Sequence, residues 1–117
     1  MKQSLSVIFN AADASVDHNS SPLFAQNLIY ASLQGVVTGA STGAIKLQFS
    51  NDIVDPVLGV PTITNWSDIP NANATLSTSG VFSIPVTQIC AGWIRVVYSK
   101  NNGSAGTISA NIKVQGV

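Results

Sequence analysis

Apolar and polar residues alternate with a period of two through most of this 117-residue chain, most clearly near its end. The runs from Trp93 to Tyr98 and from Gly106 to Gln115 each read as a strand. In the second run Ile108, Ala110, Ile112 and Val114 fall on one face, and Thr107, Ser109, Asn111, Lys113 and Gln115 on the other, because successive side chains of a strand point to opposite sides of a sheet. One face packs, and the other meets solvent or a partner. The same period predicts strands near 4–10, 14–20, 27–38, 43–50, 63–69, 73–77, 80–86, 92–99 and 106–115. Neither an amphipathic helix nor an internal repeat is visible.

Two polar clusters rich in glycine, Thr38 to Gly43 and Ser99 to Gly106, separate apolar alternations and read as hairpin turns. The longest irregular stretch, Asn51 to Thr64, contains Pro56, Gly59 and Pro61, which resist central strand pairing, so it is expected to be a loop and the first place to look for a ligand or a neighbouring subunit. Many short strands with turn signals between them predict an all-β fold: a two-layer antiparallel β-sandwich of jelly-roll type, with an immunoglobulin-like sandwich as the alternative. The length suits a single β-sandwich domain over 1–117, with a contact strand at 4–10. The expected core draws on Ile45, Leu47, Phe49, Phe82, Ile84, Ile94, Val96, Tyr98, Ile108, Ile112 and Val114.

Charge is scarce. Charged residues make up 9% of the chain, against about 25% in ordinary soluble domains, and glutamate is absent. The formal net charge is zero, and Lys2, Lys46, Arg95, Lys100 and Lys113 are scattered. This excludes the concentrated basic footprint that nucleic-acid binding needs. Little self-repulsion keeps copies apart, and a positive mean hydropathy is consistent with apolar surface covered by copies of the chain or by another protein. The start of the chain, interrupted by serines and soon meeting Asn10 and Asp13, does not read as a secretory signal. No window approaches the roughly 20 apolar residues of a membrane helix, so no membrane contact is expected.

The residues offer little chemistry. Acid–base groups are limited to five aspartates and His18; Asp17 and His18 are adjacent, and neighbours on a strand diverge. Cys90 is the only cysteine, so no intrachain disulfide forms, and it is expected to be a small buried hydrophobe. Asp52 and Asp55 flank the long loop beside Asn51, but lack the order of a calcium loop, and the expectation is turn capping rather than a metal. No His and Cys spacing suits zinc, and no cofactor is implied. Trp66 and Trp93 each offer a flat face for a sugar ring or an interface; Trp66, just after the loop, is the candidate. No nucleophile with a convergent base can be named, so the chain reads as non-enzymatic.

The segments Ala44 to Asp52, Asn65 to Ile69, Gly92 to Ser99 and Gly106 to Ile112 together resemble small all-β virion proteins of tailed phages, of the head decoration, fibre or tail accessory type. The resemblance covers about the last three quarters of the chain and rests on strand patterns. It implies a structural part of a phage particle, made in the bacterial host cytoplasm and attached in many copies to the outside of the virion, with itself and a capsid or other virion protein as partners. Leu5, Val7 and Phe9 on the first strand are then the expected pairing residues, since a free sheet edge presents unpaired backbone groups. Ser50-Asn51-Asp52, Trp66 and the Trp93 to Val96 strand also look like the discoidin type of sugar-binding jelly roll. That likeness implies an adhesion module for surface glycans. Here, however, Ile53 stands where that pattern has glycine, and an insertion through Asp55, Pro56 and Pro61 delays the tryptophan.

Overall fold

A computed structural model describes residues 3–25, 28–39, 42–52, 63–76, 79–86, 89–101 and 104–116. They form nine strands: β1 (Gln3–Asp13), β2 (His18–Asn19), β3 (Leu23–Phe24), β4 (Leu28–Thr38), β5 (Ala44–Ser50), β6 (Ser67–Thr75), β7 (Gly80–Val86), β8 (Trp93–Ser99) and β9 (Thr107–Gly116). There is no helix among the described residues, and hence none long and apolar enough to cross a membrane.

Two antiparallel sheets hold these strands. One has the order β1-β9-β4-β7 and the other β2-β8-β5-β6, with β3 also paired to β8. The pairing is nested: β1 with β9, β2 and β3 with β8, β4 with β7, and β5 with β6. A two-stranded ribbon folded over so that its pairs fall alternately into two sheets is a jelly roll, which decides between the two expected sandwich topologies.

The same nesting corrects the two expected hairpins. β4 belongs to one sheet and β5 to the other, as do β9 and β8, so the connections after Thr38 and after Ser99 carry the chain between sheets instead of turning back along one. They are fastened to each other. Ser104, buried between them, accepts N–H donors from Thr42 and Asn101 on its Oγ, and the Thr38 and Thr107 hydroxyls are hydrogen-bonded. Gly106 takes φ +88°, and a Cβ there would collide with the Thr38 carbonyl.

Alternation places the core as expected. Ile45, Leu47, Phe82, Ile84, Ile94, Val96, Tyr98, Ile108 and Ile112 are buried between the sheets, and Phe49 and Val114 pack against them half-buried. The Tyr98 hydroxyl, at the centre of this layer, donates to the Ala14 carbonyl at 2.7 Å. Boundaries differ where the backbone departs from regular pleating. The expected strands 63–69 and 73–77 are one strand, β6, whose register with β5 shifts between Lys46 and Gln48; Asn71 at φ +64° forms the bulge that accommodates Pro70. The expected strand 14–20 is reduced to His18 and Asn19. Beyond it the Ser20 side chain takes over, its Oγ accepting the Val96 N–H at 2.8 Å while its own N–H donates to the Val96 carbonyl.

Gly35 lies in mid-strand in β4, paired with Phe82 on one side and Ala110 on the other. A Cβ there would meet the Ser109 carbonyl and stand 2.5 Å from the Phe82 ring, which occupies the space the missing side chain leaves. Gly35→Ala is expected to lower the unfolding free energy by about 1–3 kcal/mol, the usual cost of overpacking a sheet core. Urea unfolding of the variant checks this, with Ser83→Ala on the exposed face as the control.

Candidate functional site

Each sheet has an outer face, and the two differ in chemistry. On the β2-β8-β5-β6 sheet, β8 turns Ile94, Val96 and Tyr98 inward and therefore presents Trp93, Arg95 and Val97 outward. Arg95 stands opposite Gln48 of β5, and Gln48 opposite Asp68 of β6. Their side chains follow the register: Arg95 Nε donates to Gln48 Oε1 and Gln48 Nε2 to Asp68 Oδ1, each at 2.8 Å, while Lys46 Nζ lies 3.1 Å from Asp68.

Aromatic residues line one end of this ladder. Phe24 packs edge-on to Trp93 with ring centroids 5.5 Å apart. Ser67 pairs with Phe49, so the next step of the register brings Trp66 beside Ser50, which itself pairs with Trp93. Ser50 is buried although it sits on the outer face, between the two tryptophan positions. The Trp66 indole N–H donates to the Ile63 carbonyl at 3.1 Å, and the Arg95 guanidinium carbon lies 4.5 Å from the centre of its ring, a cation–π contact. Burial there pushes the Arg95 pKa down from its ordinary value, and the group stays charged as arginine does.

Asp52 explains how a residue far along the chain arrives at this face. Its Oδ2 accepts the backbone N–H groups of Thr64 and Asn65 at 2.9 and 3.0 Å, and its Oδ1 accepts Asn65 Nδ2 at 2.9 Å. The carboxylate thereby ties Asp52 to Thr64 and Asn65, immediately before Trp66 in the chain. Asn51 Oδ1 accepts the Gly92 N–H at 2.8 Å and ties the same place to the start of β8. With three N–H donors on its two oxygens, Asp52 is engaged as a clip, in line with the capping expectation. Asp55 lies outside the described residues. No group of three His, Cys or Asp side chains that could hold a metal occurs among the described residues.

The outer face of the β1-β9-β4-β7 sheet is apolar and polar but nearly uncharged. Leu5, Val7, Tyr30, Val36 and Val81 are exposed on it, Leu5, Val7 and Val81 by more than two thirds (69%, 68% and 68%). A shallow groove of about 470 Å³ runs between Leu5, Gln34, Val36, Val81 and Asn111, and Lys113 is the only charged residue lining it among the described residues. β1 is an edge of this sheet. Its first half pairs regularly with β9, Gln3 to Val7 against Gln115 to Asn111, and its second half is broken by register shifts after Val7 and after Phe9.

Those shifts correct one expected surface residue. Simple alternation puts Phe9 on the face of Leu5 and Val7, but the extra residue at Ile8 turns Phe9 inward against Ala110, where it is 7% exposed. The second bulge places Ala11 at φ +50°, with its N–H donating to Ser109 Oγ at 2.9 Å. Cys90 is a second correction: it is exposed, because it precedes β8 in a connection whose flanking Ile89 and Ala91 are the residues that pack on the core. Asp17 and His18 diverge as expected, Asp17 accepting the Lys100 N–H while His18 bonds the Asp13 carbonyl and packs between Phe9 and Tyr98. Arg95 and Phe24 were not singled out from the sequence, although the odd-numbered positions Trp93 and Arg95 already share a face by period.

No family model and no curated protein sequence matches this chain. Solved structures of similar fold do exist. The chain is similar to a subunit from Bacillus endospore appendages, described as a family of disulfide-linked pili, with a TM-score of 0.55 and 14% identity over 99% of this chain and 88% of that one. It is also similar to PirA, with a TM-score of 0.54 and 12% identity over 97% of this chain and 93% of that one. A third, PBSX exported protein XepA, gives 0.53 and 12% identity over 97% of this chain but 37% of its own length. The likeness is one of fold.

Three aspartates are held below the ordinary carboxylate value of 3.8 by hydrogen bonds: Asp52 by the Asn65 side chain and the Asn65 and Thr64 backbone, Asp13 by the Ser15 side chain and backbone, and Asp68 by Gln48 and Lys46. As pH falls the unfolded chain takes up these protons before the folded one does. Their stabilisation is therefore present above about pH 5 and is lost progressively below about pH 4. Urea midpoints at stepped pH should be level from about pH 5 to 7 and decline in acid, and the decline should be shallower in Asp52→Asn.

Proposed function

We propose that this chain is a non-enzymatic structural subunit of a bacteriophage virion, a single jelly-roll domain made in the bacterial cytoplasm and attached in multiple copies to the outside of the particle. The observation that carries this reading is the edge formed by Gln3 to Val7, a regular strand with a free side that exposes Leu5 and Val7 and adjoins the charge-poor groove. A strand from a neighbouring subunit adds to such an edge through backbone hydrogen bonds, and the apolar side chains beside it gain from burial. The bulges after Val7 end the regular edge, which limits the contact to this half of the strand. Scarce charge leaves the contact apolar and hydrogen-bonded, with little repulsion to overcome between identical copies. The resemblance of the strand segments to tailed-phage virion proteins, and the likeness in fold to an appendage subunit, both support an assembling role.

Light scattering on the purified protein, alone and after mixing with particles that lack it, tests this. The expected outcome is a discrete oligomer or saturable binding to the particle, abolished by the pair Leu5→Lys and Val7→Lys while the melting temperature changes little, since both side chains already face solvent. A monomer that ignores the particles overturns the virion reading. Adhesion to surface glycans through Trp66 is the alternative role, and Trp66→Ala separates the two: loss of glycan binding with folding and assembly kept favours adhesion, whereas loss of particle occupancy with no glycan effect favours the structural role.

A further inference from the structure

We infer that the outer face of the β2-β8-β5-β6 sheet is a saccharide site that takes a carboxylate-bearing sugar, with Trp93 and Phe24 as the platform and Arg95 as the acid-reading group. The inference is independent of the assembly edge, which lies on the other sheet. Three observations converge on it. Trp93 is half-exposed on the outer face and braced by Phe24 at 5.5 Å, and a rigid aromatic plane of this kind supplies contact area to a pyranose ring at little cost in side-chain entropy.

Arg95 is next along the same strand on the same face. Its position is set twice over, by the Trp66 ring at 4.5 Å and by Nε on Gln48 at 2.8 Å, so its donors are held in place before a ligand arrives. Its two terminal nitrogens have no hydrogen-bond partner among the described residues. They form the fork that matches a carboxylate bidentately.

Charge completes the argument. Of the two cations on this face, Lys46 is neutralised by Asp68 at 3.1 Å, whereas Arg95 faces no carboxylate among the described residues. Among the described residues the face therefore carries one unmatched positive charge beside its aromatic platform. A neutral sugar would leave that charge unused. A uronic acid or sialic acid residue would satisfy it while stacking on Trp93.

Titration of the intact protein with tetragalacturonate, with its methyl ester and with sialyllactose, followed by the two indole N–H resonances and by calorimetry, tests this. The acidic sugars should shift the Trp93 and Trp66 signals and bind at least about tenfold more tightly than the ester, the scale of one charge-assisted contact. Arg95→Lys, which keeps the charge but loses the fork, should remove most of that preference. Trp93→Ala should abolish binding of acid and ester alike, and Trp93→Phe, which keeps an aromatic plane in the strand, should restore part of it. Failure of both acidic sugars to shift either indole at millimolar concentration overturns the inference. So does binding that Arg95→Lys leaves unchanged, or a response confined to residues of the β1 edge.

Discussion

Everything in this protein depends on a pairing between the two ends of the described chain. Gln3 lies opposite Gln115, and each inner pair of strands is nested within that outermost one. Such an arrangement places the entropic cost of loop closure ahead of most of its contacts, and it is stable only because the closed ribbon buries two apolar faces against each other. The buried layer from Ile45 and Leu47 to Ile94, Val96 and Tyr98 on one side, and from Leu33 and Phe82 to Ile108 and Ile112 on the other, is what makes closure worthwhile. Polar contacts then define where the ribbon bends. Ser104 and the Thr38–Thr107 hydroxyl pair fasten the two connections between sheets, and Ser20 substitutes its side chain for a missing backbone partner on β8.

Once the core is closed, two outer faces remain, and their chemistry diverges for a simple reason. Outward positions of the β1-β9-β4-β7 sheet carry serine, glutamine, asparagine, a few aliphatic residues and the single charge of Lys113, so that face is suited to a largely apolar and hydrogen-bonded contact. On the other side the outward positions carry a ladder in which Trp66, Arg95, Gln48, Asp68 and Lys46 contact one another in turn, with the Phe24–Trp93 aromatic pair beside it. One face is adaptable and the other is preorganised.

The core was legible in the sequence because burial in a strand is a local property. Ile108, Ala110 and Ile112 share a face whatever they pair with, and each expected core residue is indeed in or against the core. Phe9 escaped this logic, since one additional residue at Ile8 reverses its face until the second bulge before Ala12 restores the phase, and nothing in the run Val7-Ile8-Phe9 announces a bulge. Cys90 escaped it for a different reason: exposure in a connection depends on which neighbours happen to reach the core. The candidate site was partly visible. Trp66 and Asp52 stood out by residue type, but what holds Asp52 beside the residues that precede Trp66 is its hydrogen bonding to the Thr64 and Asn65 backbone, which no period along the chain announces.

What the sequence by itself determined is therefore the class of the fold, the inward face of most strands and the near absence of charge, because each follows from the identity and spacing of neighbouring residues. Only the tertiary structure decided that the glycine-rich connections cross between sheets, that the strands nest as a jelly roll, and that Arg95 meets Trp66 and Gln48. Those outcomes are choices among partners distant in the chain, and a period of two, repeated in every strand, fits any of them equally well until the two sheets close on one core.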